Sequence, residues 1–132
     1  VKSNDETFGP VTFAYTRANA IADGVLFDVT LVSRHLAGTN APVAITCAAR
    51  AELNEAAAKS GPMNDASERS AAALCFALVK MGEAIRKPDA ANSCEAHFSV
   101  KLPGADPVNL YAVSGPGDTP APVITIMREG ED

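Results

Sequence analysis

Residues 95–102 read EAHFSVKL, with Ala96, Phe98, Val100 and Leu102 alternating against Glu95, His97, Ser99 and Lys101. A period of two sends successive side chains to opposite faces, so this stretch predicts a half-buried strand. Downstream, Pro103-Gly104 and Asp106-Pro107 are turn residues, and residues 108–113 are again apolar and extended in character. The loop Ser114-Gly115-Pro116-Gly117-Asp118 supplies another turn before the β-branched run at 123–127. Three strands joined in sequence predict an antiparallel meander.

Immediately upstream the period changes. Over residues 65–87, Leu74, Leu78, Met81 and Ile85 are spaced four, three and four apart, one apolar stripe that Ala71 and Ala77 widen. Asp65 or Ser67 is the expected N-cap, Glu68 favours the first turn, and Arg86 and Lys87 complement the dipole ahead of Pro88. This is the expected core helix, lying across one face of the meander.

Further back the signals shorten. The segment VTFAY at 11–15 predicts a strand, and Thr16 caps a short helix over 17–23 that Gly24 ends in the left-handed region. Residues 25–27 are apolar. Asp28 or Thr30 caps a second helix through Leu36, and Gly38 stops it. Residues 43–45 enter the core, and Thr46 opens a helix over 47–60 closed by Gly61-Pro62, with Glu55 and Lys59 in the favourable i,i+4 order. Its apolar face, Ala49, Leu53, Ala56 and Ala57, is narrow, so a partly exposed helix is expected. The fold class is α+β: short N-terminal helices plus one long core helix packed on a C-terminal three-stranded antiparallel meander, in a single domain spanning 1–132.

At 132 residues the chain is long enough for one core without disulfides or metals. No apolar run approaches the ~18 residues that span a bilayer. Residues 1–10 lack a basic segment followed by an apolar one, and three cysteines, Cys47, Cys75 and Cys94, are an odd number at long spacings. Free thiols and a reducing cytoplasm are the expectation. Sixteen acids against eleven bases give a net charge of −5, which disfavours direct nucleic-acid binding and suits a basic protein partner.

Catalytic chemistry is not legible. His35 and His97 are the only histidines; one sits near a helix end and the other on the polar face of a strand, and neither has a nucleophile in a suggestive pattern. Glu129, Glu131 and Asp132 are the densest acidic group, at a terminus expected to fray, so no metal is assigned. The Ser-Gly-Pro-Gly-Asp loop lacks the lysine and strand-to-helix context of a phosphate loop and reads as a hairpin turn. No cofactor is expected. The Tyr15-Thr16-Arg17 corner stands out, because a cation in a first helical turn opposes the dipole; a carboxylate partner is expected, Asp23 or Asp28 being nearest in sequence.

Three segments carry a family resemblance: YTRANAIADGVLFDV at 15–29, APVAIT at 41–46 and SGPGDTPAPVITIMREGED at 114–132. Together they resemble an uncharacterised bacterial family of plasmids, integrative elements and phages, a domain of unknown function. The alanine-rich helix at 47–59 departs from the bulkier, Trp-containing segment expected of that family. The resemblance implies a mobile-element origin and brings no catalytic residues. Small acidic proteins of such elements are often inhibitors of host defence, including anti-CRISPR proteins. The expectation is therefore a non-enzymatic binding protein acting on a basic nucleic-acid-handling partner such as a CRISPR effector, with Tyr15, Arg17, Glu52 and Glu55 as binding residues. Its rivals are an interaction module that docks through the alanine-rich helix, and an enzyme of unrecognised type.

Overall fold

A computed structural model describes residues 16–59, 66–87, 94–119 and 121–131. The expected strand at 11–15, Tyr15 itself, Asp65 and the Gly61-Pro62 stop lie outside the described residues. The elements run α1 (Arg17–Ala22), β1 (Leu26–Asp28), α2 (Thr30–Leu36), β2 (Val43–Thr46), α3 (Cys47–Lys59), α4 (Ala66–Ile85), β3 (Glu95–Val100), β4 (Val108–Pro116) and β5 (Pro122–Arg128).

The sheet corrects the expected three-stranded antiparallel meander under one long helix. Among the described residues it has five strands in the order β1-β2-β5-β4-β3, and it is mixed: β2 pairs parallel to β5, while the other neighbours are antiparallel. Four helices accompany it among the described residues. Two segments expected only as apolar stretches, around 25–27 and 43–45, are the missing strands. β1 has three residues, too few to display a period, and all four residues of β2 are buried, which erases the alternation that marks a one-sided strand.

α3 is partly exposed, as expected, and the face named for it, Ala49, Leu53, Ala56 and Ala57, is the buried one, so α3 and α4 line the core together. Small side chains let the two helices approach each other and the sheet closely. Leu53, Leu78 and Met81 then fill the space above Ile45, Leu110 and Ile126, all of them sealed from solvent. Each such side chain contributes roughly 1.5–3 kcal/mol of burial.

The shorter helices follow local rules. Thr16 caps α1 by accepting the amide of Asn19 at 3.0 Å, and Gly24, at φ 79°, lets Val25 N–H return to Ala20 O at 2.9 Å. That is the six-to-one bond of a Schellman ending. Asp28 reaches across Val29 to accept the amide of Thr30 at 3.0 Å at the start of α2. α2 then packs on α4 where Gly82 meets Ala37: a methyl group at Gly82 would stand 2.8 Å from both the Cα and the carbonyl oxygen of Ala37. Arg86 seals the contact by donating to Ala37 O at 2.9 Å.

Candidate interaction face

Strand alternation gives the sheet two unlike faces. Phe27, Ile45, Ile126, Ala112 and Ala96 pair in one row across all five strands on the side of α3 and α4. The neighbouring row, Asp28, Ala44, Thr125, Val113 and Glu95, points the other way. Beside it run Met127, Tyr111 and His97. Among the described helices only α1 contributes to this second face, over its β1–β2 corner.

Arg17 anchors that corner. Its guanidinium donates to Thr125 Oγ1 and to the carbonyl of Ile124, both at 2.7 Å. Its own backbone amide donates to Asp118 Oδ1 at 2.7 Å, and the amide of Ala18 to Asp118 Oδ2 at 3.1 Å. A carboxylate thus sits on the first amides of α1, where the dipole favours an anion. Burial pushes the Arg17 pKa down from its ordinary value, while the charges of Asp28 and Asp118 oppose that shift. Asp28 is held below the usual carboxylate range by the side-chain and then the backbone hydrogen bond of Thr30; burial opposes and Arg17 adds. The expected carboxylate neighbours of Arg17 therefore include Asp28, but Asp118, a residue of the glycine-containing hairpin loop, makes the direct bond.

Arg17, Asp28 and Asp118 line a shallow depression of about 240 Å³ with Ile21, Ala44 and Val123. The three segments that carry the family resemblance meet here: Arg17 and Asp28 come from the first, Ala44 from the second, and Asp118 and Val123 from the third.

At the far end of the same face, His97 lies between two carboxylates. Its Nδ1 is 2.5 Å from Glu129 Oε2 and its Nε2 is 3.2 Å from Glu95 Oε1, while its ring stacks on Tyr111 at 5.2 Å between centroids. The His97 pKa is raised, first by the Glu129 bond, with burial opposing and Glu95 adding. In the acidic terminus, Glu131 is hydrogen-bonded back to the sheet. Glu131 Oε1 accepts from Thr46 Oγ1 at 2.8 Å and from the amide of Arg128 at 3.1 Å, and its carbonyl accepts the Tyr111 hydroxyl.

Glu52 and Glu55 occupy the other side of the molecule. Glu52 accepts from Arg128 Nη1 at 3.2 Å, and both glutamates border a depression of about 130 Å³ with Lys59 and Asp106. They lie close to each other and on the opposite face from Arg17. Sequence reading passed over Asp118, Thr125, Tyr111 and Glu129 as site residues; the one available signal was their place inside, or in register with, the third resembling segment.

Charge is distributed unevenly between the layers. Among the described residues ten Lys and Arg nearly balance eleven Asp and Glu. The helical layer holds Arg34, Arg50, Lys59, Arg69 and Lys80 against Glu52, Glu55, Glu68 and Glu83, with Arg86 and Lys87 following α4. The opposite face and its rim hold Asp28, Glu95, Asp118, Glu129 and Glu131, with Arg17, His97 and Lys101 as cations. No group of residues suited to holding a metal ion occurs among the described residues, and no described helix is long and apolar enough to cross a membrane. The chain matches no family model, no curated protein and no solved structure.

Proposed function

We propose that the protein is a non-enzymatic binding protein that receives a basic partner on the sheet face opposite α3 and α4. The observation that carries this reading is the charge separation between layers: carboxylates rim the sheet face while the helical layer carries the surplus of bases. Tyr111, Val113, Val123 and Met127, all half-buried, form an apolar centre between Asp28 and Asp118 at one end and Glu95 and Glu129 at the other. An apolar centre ringed by charge of one sign matches the anatomy of a protein interface and steers an oppositely charged partner.

A protein that handles nucleic acid presents the Lys/Arg-lined surface this face would meet. With the resemblance to a mobile-element family, a CRISPR effector complex is the partner class to test first, the protein acting as an inhibitor of host defence. Docking through the alanine-rich α3 has less support, because none of the exposed large apolar side chains, Ile21, Val25, Leu31, Val32 and Phe76, belongs to α3.

The test is binding to an effector complex across a salt series, beside a gel-shift with DNA alone. Binding should weaken steadily as salt rises. Reversing Glu95 and Glu129 to Lys should weaken it further than reversing Glu52 and Glu55. Salt-insensitive binding, tight binding to DNA alone, or a larger loss from the α3 pair would overturn the assignment of this face.

A further inference from the structure

Among the described residues β3 ends the sheet, with β4 as its one strand partner. The amide of Ser114 donates to Cys94 O at 2.8 Å, and the register runs from Glu95 opposite Val113 to Val100 opposite Val108. In an antiparallel ladder, residues that bond inward alternate with residues that bond outward. Ala96, Phe98 and Val100 therefore spend their backbone groups on β4, while the N–H and C=O of His97 and Ser99 point away from it. No described residue takes those groups. Such an edge is a template for another strand.

We infer that two copies of this chain pair β3 to β3 antiparallel about a two-fold axis at Phe98, making one continuous ten-stranded sheet. This goes beyond the proposed docking face and does not depend on it. Sheet continuity requires that paired residues share a face, which leaves three central registers. With Phe98 on the axis, His97 opposes Ser99 in outward-bonding pairs, Ala96 opposes Val100 on the helical side, and Glu95 opposes Lys101 of the second copy at both ends. Opposite charges directly across an antiparallel pair stabilise it and like charges destabilise it.

The other two registers are worse. Placing His97 on the axis sets two imidazoles against each other and gives Glu95 only Ser99 as partner. Placing Ser99 there sets His97 against Lys101 and Glu95 against Pro103, which has no N–H to donate. Lys101 already donates to the carbonyls of Leu102 and Ala105, and its ammonium retains a third donor for the glutamate. In the assembled pair the helices of both copies lie on one side, and the two carboxylate-rimmed faces become continuous on the other.

Sedimentation equilibrium of the protein alone tests the pairing. The expected result is a concentration-dependent mass reaching twice that of the chain, with the amides of His97 and Ser99 slowing in hydrogen exchange as the dimer forms. Ser99→Pro removes the outward donor together with an exposed hydroxyl bond to Asn109 Oδ1 at 2.6 Å, at a place where an edge strand tolerates proline, and should leave a folded monomer by circular dichroism. Glu95→Lys or Lys101→Glu alone creates two like-charge contacts per dimer and should weaken association about tenfold, and the two together should restore it. Restoration is not expected if these residues act only within their own chain. A monomeric mass up to millimolar concentration, a dimer that survives Ser99→Pro, or a double variant weaker than either single one would overturn the inference.

Discussion

Asp118 caps the helix that Arg17 begins, across 101 positions of sequence, while the Arg17 side chain returns to Thr125 and Ile124 a few residues beyond that aspartate. The two residues form a reciprocal clasp: the loop between β4 and β5 holds the start of α1, and α1 holds β5. Arg17 thus sits at a helix N-terminus without penalty, because the anion the dipole favours is supplied by another part of the chain.

Asp118→Ala should destabilise the fold by about 0.5–2 kcal/mol, the usual cost of losing a helix cap. Arg17→Lys should not substitute for Arg17, since one ammonium cannot reproduce a fork that reaches a hydroxyl and a carbonyl together. Urea denaturation of Arg17→Ala, Asp118→Ala and the double variant should show losses that do not add; strict additivity would mean that the clasp does not act as a unit.

Gly82→Ala should destabilise the protein although alanine is the better helix former by about 1 kcal/mol. The new methyl would overlap backbone atoms of Ala37 at 2.8 Å, and overpacking of that kind costs about 1–3 kcal/mol. A raised melting temperature would show that α2 can shift away from α4 at little cost.

Leu78→Ala removes a fully buried side chain from the centre of the core and should cost on the order of 2–5 kcal/mol. Ser33→Ala should do the reverse. The Ser33 hydroxyl is fully buried with no hydrogen-bond partner among the described residues, so its removal relieves a desolvated polar group and should be neutral or stabilising by up to about 1 kcal/mol. Calorimetry of the two variants checks both signs.

Because the folded His97 pKa is raised above 6.5, its contribution to stability is complete below that pH and is lost as pH rises through the folded value. Asp28 works in the opposite sense: its contribution is present above 3.8 and is lost as pH falls through its depressed folded pKa. Glu129→Gln should lower the His97 pKa measured by NMR titration more than Glu95→Gln does. Equal shifts would mean that the Glu129 bond is not the dominant cause.

Cys47, Cys75 and Cys94 are free and exposed, so all three should react with an aromatic disulfide reagent without denaturant. Fewer than three reactive thiols in the folded protein would contradict this placement.

Much of the secondary structure was legible because its signals are local. The alternation of 95–102, the stripe from Leu74 to Ile85, the cap at Thr16 and the turn at Gly24 each depend on residues within a few positions of one another, and steric and hydrogen-bonding rules act at that range. The sheet's architecture was not. β1 and β2 are three and four residues long, and what makes them strands is pairing with each other and, for β2, a parallel register with residues 124–126 some eighty positions away. Burial on both faces removed the period that would have betrayed β2. Sequence proximity points Arg17 to Asp23 or Asp28, whereas the carboxylate that accepts its amide is Asp118. Sequence alone determined the net charge of −5, but which layer holds the carboxylates depends on which way each strand residue points, and tertiary pairing decides that. Local chemistry selects helix, strand and turn; only closure of the chain decides which distant side chains share a face.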